Sequence, residues 1–312
     1  MKAVQIANYG GVEAIEFNSE AKKPTLKAGQ ILVEVHAASL NRIDSAFRKG
    51  YLKKMMPVQM PLTLGGDFAG VVTELGDGVS KFKVGDEVYG NAGTFKGGSG
   101  ALAEFVSANS ANTAHKPKSL DFSQAAALPL AGASALQGVF EELNVQSGQK
   151  ILIQGGAGGV GSLAIQIAKL KGAYVATTVA GSEIDFAKNL GADEVLDYKT
   201  QDVTKALKDY DGVFDTAGGE GLNKLFSILK KDGKLVSMAG QPDQELAKQH
   251  EVTAISQMTT VSTEQLKELA ELVDSGKVKV QIEKTLPFVE TKTAFEYFET
   301  QHPKGKIVVV VK

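Results

Sequence analysis

The chain has 312 residues, of which 43% are apolar, and a formal net charge of −2 from 34 Lys and Arg against 36 Asp and Glu. This length predicts about two domains, and the balanced charge argues against nucleic-acid binding, which needs an excess of basic residues. The absence of cysteine excludes disulfides, thiolate nucleophiles and zinc sites built on sulfur.

The start of the chain and its apolar runs predict neither secretion nor a membrane span. The opening MKAVQIANYG lacks the long apolar stretch of a signal peptide. The longest uncharged run, residues 122–140, is interrupted by Pro129, Gly132 and Gly138, which is unlike a spanning helix. A cysteine-free chain also fits a reducing compartment. We therefore expect a cytoplasmic protein without a membrane partner.

The N-terminal part of the sequence predicts short strands joined by Gly-rich turns. Residues 2–7 (KAVQIA) and 31–40 (ILVEVHAASL) alternate or are rich in β-branched side chains, as half-buried strands are. Residues 68–75 (FAGVVTEL) and 86–90 (DEVYG) continue the pattern. This spacing predicts a β-rich module rather than a parallel sheet.

From about residue 149, apolar strands alternate with helical patterns: KILIQG, VGSLAIQIAKLKG, YVATTV, DFAKNLGA and their successors, including a predicted helix GLNKLFSILKKDG that ends at Gly233. This alternation predicts an α/β doubly wound parallel sheet. The helices and the strand after Met258 are too short for a third domain. We therefore predict a Rossmann dinucleotide-binding domain at residues 122–257 and a discontinuous β-rich domain at residues 1–121 and 258–312.

A glycine motif occupies the first strand–helix turn of the predicted Rossmann domain. Residues 156–161 (GAGGVG) follow the strand KILIQ and open a helix, which makes this G-x-G-x-x-G pattern specific. Gly156 is expected to allow a tight turn, Gly158 the approach of a pyrophosphate, and Gly161 close packing of helix on sheet. A tight turn without a ligand is the alternative. The predicted phosphate contacts are Gly156, Ala157, Gly158, Gly159, Val160 and Gly161.

Two later strands end in small residues, in the segments 215–219 (DTAGG) and 238–240 (MAG). The carboxyl ends of parallel strands line the ligand crevice of such a sheet. Small side chains there would let a nicotinamide ring lie against the backbone, and ordinary turn glycines are the alternative. The predicted cofactor contacts in these segments are Ala217, Gly218, Met238, Ala239 and Gly240.

The modules resemble, in this order, the medium-chain dehydrogenase/reductase superfamily in its zinc-independent quinone oxidoreductase (zeta-crystallin-like) branch. The likeness spans nearly the whole chain. It includes residues 41–50 (NRIDSAFRKG) and 61–72 (PLTLGGDFAGVV), the glycine motif, VFDTAGG and the closing GKIVVVV. The resemblance implies a GroES-like fold for the β-rich catalytic domain, a homodimer, and hydride transfer from a nicotinamide cofactor.

The resemblance also implies that no zinc is bound. Zinc members of the superfamily place a Cys, the His of a Gly-His-Glu motif and a further Cys or Glu around the metal. The matching positions here are Asn41, Gly66 and Leu130, none of which is a zinc ligand. Without a Lewis acid an alkoxide is not stabilised, whereas a quinone or enone delocalises the negative charge onto oxygen. We therefore predict an NAD(P)H-dependent reductase of a small quinone or enone.

Residues that would assist the reaction are suggested by position. Asn41 matches an asparagine that this branch keeps near the nicotinamide, with loop capping as the alternative. Many relatives carry a tyrosine where Ala46 stands, and Tyr51 is the nearest substitute, unless it is merely an exposed aromatic. Arg48 and Asp44 are expected to form a structural ion pair.

The predicted second strand of the Rossmann sheet carries no acid between Thr177 and Ser182, whereas NAD-specific domains place one there. By resemblance Tyr198 lies beside the adenosine phosphate. Glu183 stands where some relatives carry a phosphate-binding lysine, and its charge opposes a phosphate unless it points into solvent at a helix start. We predict a modest preference for NADPH, with NADH possible. Further predicted cofactor contacts are Ser134, Thr178, Ser182 and Tyr198, with helix packing as the alternative for Ser134.

Two other functions are compatible with this sequence. An enoyl-thioester reductase shares the fold but needs an acyl channel and a proton donor. A non-enzymatic, crystallin-like or RNA-binding protein would retain only nucleotide binding. The acidic balance and the lack of basic–aromatic clusters weigh against RNA.

Overall fold

The computed structural model describes residues 1–94 and 97–312 and divides the chain into two units. The first unit comprises Met1–Leu130, Val261–Gly276 and Val280–Lys312, and the second comprises Ala131–Thr260 and Lys277–Lys279. The predicted domain boundary at residue 122 stays a prediction. One contact bears on it, because the Phe122 ring packs on His36 of the first unit with 4.1 Å between ring centroids.

The strands, in chain order, are β1 (Ala3–Ile6), β2 (Glu16–Asn18), β3 (Gln30–Ser39), β4 (Leu62–Thr63), β5 (Asp67–Leu75), β6 (Glu87–Asn91), β7 (Phe105–Asn109), β8 (Thr113–His115), β9 (Lys150–Gln154), β10 (Tyr174–Val179), β11 (Glu194–Asp197), β12 (Tyr210–Asp215), β13 (Leu229–Ser237), β14 (Thr253–Ser256), β15 (Ile282–Pro287) and β16 (Lys306–Val310). The α-helices are α1 (Arg42–Arg48), α2 (Phe122–Ala126), α3 (Pro129–Leu136), α4 (Gly159–Leu170), α5 (Ile184–Asn189), α6 (Val203–Ala206), α7 (Gln244–Gln249), α8 (Thr263–Asp274) and α9 (Thr291–Thr300). A π-helical turn, Gln137–Glu142, continues α3.

The first unit contains a seven-stranded sheet in which β15, β16, β3, β5, β6 and β8 lie in that order and β7 also pairs with β3. A three-stranded sheet, β2-β1-β4, accompanies it. The pairings are antiparallel except that of β15 with β16, as the predicted β-rich module requires. Because β3 pairs with both β5 and β16, Ser39 lies opposite Asp67 on one side and Val308 on the other.

The second unit is the predicted doubly wound domain. Its six-stranded sheet has the order β11-β10-β9-β12-β13-β14, and every pairing in it is parallel. The chain moves outward from β9 in one direction and from β12 in the other, so the sheet reverses between these two strands. In such sheets ligands bind at this reversal, outside the carboxyl ends of the strands. The fold class predicted from the alternating pattern is confirmed.

The predicted helix over GLNKLFSILKKDG is wrong in its second half. A 3₁₀ helix covers Leu222–Ile228 only, and β13 begins at Leu229. The strand is long because of a bulge, at which the pairing moves from Tyr210–Leu229 to Gly212–Lys234. Gly233 therefore lies inside a strand and does not end a helix.

The helix predicted after Met258 is present as α8. Its N-terminus is closed by Ser262, whose side chain accepts a hydrogen bond from the backbone N–H of Gln265. Leu266, Leu269 and Val273 are buried along one face and Leu272 is half-buried, as is typical of an amphipathic helix. Within the part of the chain that the structure describes, no helix is both long and apolar enough to cross a bilayer.

Candidate active site

The glycine turn between β9 and α4 has its left-handed residue at Gly155, with φ at +81°. The sequence pattern placed the tight turn at Gly156, one residue too late. Gly156 serves a different purpose, because a Cβ there would fall 2.0 Å from Thr177 Oγ1 of the neighbouring strand. The turn thus needs glycine at Gly155 for its conformation and at Gly156 for its contact with β10.

Gly158 and Gly161 differ in what a side chain would meet. A Cβ on Gly161 would lie 2.2 Å from the backbone oxygen of Gly155, so this glycine permits the helix to pack on the loop. A Cβ on Gly158 would meet only that same oxygen, at 3.5 Å, which is ordinary contact. A larger side chain at position 158 would therefore extend into the space beyond the start of α4.

That space lies at a helix N-terminus with donors to offer. The first i→i−4 bond of α4 runs from the N–H of Ser162 to the oxygen of Gly158, at 2.9 Å. The N–H groups of Gly159, Val160 and Gly161 precede it, and such groups bind phosphates. These residues fit the pyrophosphate of a dinucleotide.

Thr178 holds the glycine turn in place. Its Oγ1 accepts a hydrogen bond from the N–H of Gly155 and its backbone oxygen accepts one from Gly156, both at 3.1 Å. The side chain is buried. Thr178, predicted as a cofactor contact, is engaged with the loop, and Ala157 of the motif is also buried.

The turn after β12 is organised by Asp215, which sequence analysis did not single out. One carboxylate oxygen of Asp215 accepts from the N–H groups of Ala217 and Gly218, at 3.1 and 2.9 Å. The other accepts from the hydroxyl of Ser237, at 2.6 Å. Gly218 has a φ of +70°. The signal in the sequence was an acid at the end of a buried strand, directly before turn glycines.

The same hydroxyl organises the turn after β13. Ser237 Oγ accepts hydrogen bonds from the N–H groups of Ala239 and Gly240, at 3.2 and 3.0 Å. The N–H of Met238 donates to the backbone oxygen of Asp215 at 3.1 Å. The two segments of small residues are thus joined through one buried carboxylate–hydroxyl pair. The predicted contacts in these segments lie together at the carboxyl edge of the sheet.

Near the carboxyl ends of β10 and β11 lie the residues predicted to select the cofactor. Ser182 is exposed on a 3₁₀ turn, Gly181–Glu183, and the Tyr198 side chain, directly after β11, is 55% exposed. Glu183 folds back, so that its Oε2 accepts from the N–H of Ala180 at 2.9 Å. The carboxylate therefore serves the start of the turn.

A second acid stands nearby. Asp197 Oδ2 lies 2.8 Å from the place that a Cβ on Gly181 would take, and Asp197 Oδ1 accepts from the N–H of Lys199 at 3.0 Å. The stretch from Thr177 to Ser182 contains no acid of its own, but the carboxylate of Asp197, at the end of β11, lies beside it. Asp197 could not be identified from the sequence, because only the pairing of β10 with β11 brings it beside Val179.

Ser134 is fully buried in α3 and joins it to the segment after β14. Its Oγ lies 2.8 Å from Thr259 Oγ1, and its backbone oxygen accepts from Gln257 Nε2 at 3.0 Å. Ser134, predicted as a cofactor contact with helix packing as the alternative, is thus a link within the second unit. Gln154 Oε1, at the end of β9, is buried and has no hydrogen-bond partner among the described residues. A donor group of a bound ligand would satisfy this acceptor.

In the first unit a buried polar cluster is formed by Asn41, Asp44, Asp67, Asn91 and Lys306. Asn41 caps α1, and its backbone N–H donates to Asp44 Oδ2 at 2.8 Å. Its Nδ2 donates to Asp67 Oδ2 at 2.9 Å, and its Oδ1 accepts from Lys306 Nζ. The capping interpretation and the functional interpretation of Asn41 are therefore compatible.

Asp67 is the centre of the polar cluster. Its oxygens accept from Asn91 Nδ2 at 2.8 Å and from the N–H of Leu130 at 3.1 and 3.2 Å, and Lys306 Nζ lies 3.8 Å away. Burial raises the pKa of Asp67, which the Lys306 charge and these hydrogen bonds oppose. Burial raises the pKa of Asp44 to about 7, against its hydrogen bond from Asn41, and the Asp67 charge adds to the rise. Burial also lowers the pKa of Lys306.

The three positions matched to zinc ligands meet at Asp67. Asn41 and Leu130 both donate to it, Gly66 directly precedes it, and a Cβ on Gly66 would fall 2.8 Å from Asn91 Nδ2. One carboxylate beside an ammonium is not the set of four N, O or S donors that zinc takes. Over residues 1–94 and 97–312, no three His, Cys, Asp or Glu side chains are grouped to hold a metal ion. The residues do not fit zinc.

The expected ion pair between Arg48 and Asp44 is wrong. The buried Arg48 guanidinium donates to the Gly10 oxygen at 2.9 Å and to Glu299 Oε1, while Asp44 bonds to the backbone of Asn41. A buried charge takes the partner that the packed fold brings to it, and α9 brings Glu299 here. Tyr51, the other catalytic candidate, is 76% exposed in the turn after α1. This exposure favours the alternative that Tyr51 is an exposed aromatic side chain without a catalytic role.

Comparison with known proteins gives consistent matches. Residues 27–118 match the alcohol dehydrogenase GroES-like domain, and residues 190–309 match the zinc-binding dehydrogenase family. A chloroplastic NADPH-dependent alkenal/one oxidoreductase from Arabidopsis thaliana is 37% identical over 317 residues, which cover 99% of this chain and 79% of the relative. The structure of a quinone oxidoreductase from Coxiella burnetii has a TM-score of 0.92 and 36% identity, with 100% of this chain and 99% of that chain covered. The Escherichia coli quinone oxidoreductase complexed with NADPH has a TM-score of 0.89 and 25% identity, with both chains fully covered.

Proposed function

We propose that this chain, which belongs to the medium-chain dehydrogenase/reductase superfamily in its quinone oxidoreductase branch, is an NADPH-dependent reductase of quinones or α,β-unsaturated carbonyl compounds. The resemblance read from the sequence is confirmed, because the Arabidopsis relative is 37% identical over 99% of this chain. The chain is therefore an oxidoreductase of this family. Its acceptor, its choice of cofactor and its independence of metal belong to the proposal.

The observation that carries the proposal is the polar cluster at Asp67. A zinc-type dehydrogenase polarises an alcohol oxygen with its metal. At the matching place this chain has the amide of Asn41, a glycine at Gly66 and the ammonium of Lys306. An acceptor that delocalises its own negative charge needs only positioning and a hydrogen-bond donor. Quinones and enones are acceptors of that kind.

The roles of the residues follow from their contacts. The N–H groups at the start of α4 would hold the cofactor's pyrophosphate, and the turns tied to Asp215 would keep open the space for its nicotinamide. When bound, NADPH supplies a hydride to an electrophilic carbon of the acceptor. The amide of Asn41 would donate a hydrogen bond to the acceptor's oxygen, where negative charge develops.

Steady-state kinetics test this function. NADPH oxidation should depend on a quinone or an enone and should persist after exhaustive chelation. A loss of activity that zinc alone restores would contradict the metal-free proposal. Turnover restricted to enoyl thioesters would favour that alternative, and nucleotide binding without turnover of any acceptor would favour a non-enzymatic protein.

The cofactor preference is predicted to be for NADPH, and modest. Ser182 and Tyr198 are exposed where a 2′-phosphate would need partners, while Glu183 and Asp197 place negative charge on the same edge. Glu183→Lys should raise the ratio of kcat/KM for NADPH over NADH by about fivefold, since one favourable charge pair near the surface contributes about 1 kcal/mol.

Glu183→Gln is the matched control for that substitution. It removes the charge and keeps an oxygen that can accept from the N–H of Ala180, so its effect on the ratio should be smaller. A wild-type enzyme that favours NADH would overturn the assignment of the cofactor.

We propose that the enzyme is a homodimer that forms through the outer strand β14. This strand ends the six-stranded sheet, and Thr253 and Ser256 on it are exposed, as an edge open to pairing requires. Light scattering should give twice the chain mass of 32.9 kDa. Lysine at both exposed positions should give monomers, whereas Thr200→Lys near the opposite edge should not. A wild-type monomer at micromolar concentration would refute the proposal.

The cytoplasm remains the proposed location. A chain without cysteine fits a reducing compartment such as the cytoplasm. The Arabidopsis relative is chloroplastic by its name, so relatives of this enzyme occupy other compartments. Cell fractionation decides the location.

A further inference from the structure

The amide of Asn41 lies between a group that only donates hydrogen bonds and one that only accepts them. Its Oδ1 accepts from Lys306 Nζ, and its Nδ2 donates to Asp67 Oδ2 at 2.9 Å. A lysine ammonium has three donors and no acceptor, whereas an ionised carboxylate has acceptors alone. Turning the amide over would set its NH₂ against the ammonium and its oxygen against the carboxylate. The two charges therefore fix which way the amide faces.

Lys306 is itself held rigidly. Its side chain is buried, and its Nζ donates a second hydrogen bond to the backbone oxygen of Leu40 at 2.8 Å. Lys306 opens β16 and Asp67 opens β5, and both strands pair with β3, at whose end Ser39 leads into Leu40 and Asn41. The central strand thus brings the two charges to either side of one amide.

The hydrogen-bond inventory of Asn41 leaves one donor over. Its backbone N–H is taken by Asp44, its Oδ1 by Lys306 and one hydrogen of its Nδ2 by Asp67. An amide nitrogen carries two hydrogens, and among the described residues no acceptor is recorded for the second. Asp67 also accepts hydrogen bonds from Asn91 Nδ2 and from the backbone N–H of Leu130, which do not involve Asn41.

We propose that Lys306 and Asp67 are positioning residues, which orient Asn41 so that its remaining N–H donates to the carbonyl oxygen of the acceptor. The inference rests on the proposed function and adds to it the reason why Asn41 can replace a metal. The Lys306 ammonium balances the Asp67 carboxylate at the place matched to the zinc ligands. Two of the three donors of that ammonium are taken by Leu40 and Asn41, and its remaining side lies 3.8 Å from the Asp67 carboxylate, so the amide is the group that meets the acceptor.

A double-mutant cycle tests whether the charges act through Asn41. Lys306→Met together with Asp67→Asn removes both charges and avoids a buried charge without its partner. This pair of substitutions and Asn41→Ala should each lower kcat/KM for an enone by about tenfold, as the loss of one hydrogen bond does. The kcat/KM of the triple variant should lie no more than about threefold below that of the charge-free variant or of Asn41→Ala, because the two sets of substitutions remove the same interaction.

The matched control uses an exposed ion pair between β3 and the residue that follows β16 by two positions. Lys312 Nζ bonds Glu34 at 2.8 Å, and Lys312→Met with Glu34→Gln should leave kcat/KM within twofold of wild type. The Kd for NADPH should be unchanged in all variants, because the glycine turn is intact. Should the charge-free variant not fold, Asp67→Asn alone replaces it, in which Asp44 still balances Lys306.

An effect of the triple variant equal to the product of the other two would overturn the proposal. A readout that does not need turnover separates it from the proposed function. In ¹⁵N-labelled enzyme the Asn41 side-chain amide should shift and exchange faster with solvent when the two charges are removed, and an unchanged signal would also overturn it. If wild type reduces neither quinones nor enones, the proposed function fails, and the amide signal still decides the orientation by Lys306 and Asp67.

Discussion

Replacing Gly158 with valine should abolish dinucleotide binding while the protein remains folded. A Cβ at this position has only the oxygen of Gly155 near it, at 3.5 Å, so the added methyl groups extend into the space beyond the start of α4. A pyrophosphate displaced from there loses its hydrogen bonds to several N–H groups. At about 1 to 1.5 kcal/mol for each bond, the Kd for NADPH should rise by about 100-fold or more.

Gly161→Ala is the informative comparison for that variant. Its Cβ would lie 2.2 Å from the backbone oxygen of Gly155, so the loop or the helix must move, at a cost of roughly 1 to 3 kcal/mol. We expect Gly158→Val to keep the wild-type Tm and lose the cofactor, and Gly161→Ala to lower the Tm. Calorimetric titration and thermal unfolding measure the two effects. A folded Gly158→Val enzyme that binds NADPH within threefold of wild type would refute the phosphate site.

The doubly wound sheet could be predicted because its signals are local. Alternating strands and helices, and a glycine motif between KILIQ and an apolar helix, need no knowledge of distant residues. The errors in this domain are local as well. The left-handed turn falls on Gly155 and not on Gly156, since the backbone path out of β9 decides it. Residues 229–233 fit a helix by composition, but Leu229 pairs with Tyr210 of β12, and the strand runs on through a bulge to the next pair at Lys234.

The polar partners of the first unit could not be predicted, because they come from the far end of the chain. Arg48 and Asp44 stand at helical spacing, and the sequence therefore favoured a pair between them. The fold instead gives Arg48 to Glu299, and it sets Lys306 against Asn41 and Asp67. The resemblance to the family identified Asn41 by its position in the sequence, whereas its hydrogen-bond partners Lys306 and Asp67 are seen only in the folded sheet.

The second large effect concerns stability, and it follows from the ion pair of Arg48 with Glu299. The guanidinium is fully buried, and its remaining acceptor is the oxygen of Gly10. Glu299→Gln leaves a buried cation without its counter-ion, which costs roughly 3 to 5 kcal/mol. Urea unfolding should show this loss at pH 7. The matched control is Glu251→Gln, which breaks the exposed pair with Lys231 and should cost less than about 1 kcal/mol.

The loss should also depend on pH in a defined direction. Burial by itself would raise the pKa of Glu299, but hydrogen bonds from Lys49 and Arg48 outweigh it and lower the pKa from 4.5 to about 2. A carboxyl whose pKa is lower in the folded state stabilises the protein above its unfolded pKa, and this stabilisation is lost as the pH falls toward the folded value. The difference in unfolding free energy between wild type and Glu299→Gln should therefore be constant from pH 7 to about 5 and should shrink steadily below pH 4.5. A difference that stays constant down to pH 3.5 would mean that the charge of Glu299 contributes nothing, and that Arg48 is held by packing and by Gly10 alone.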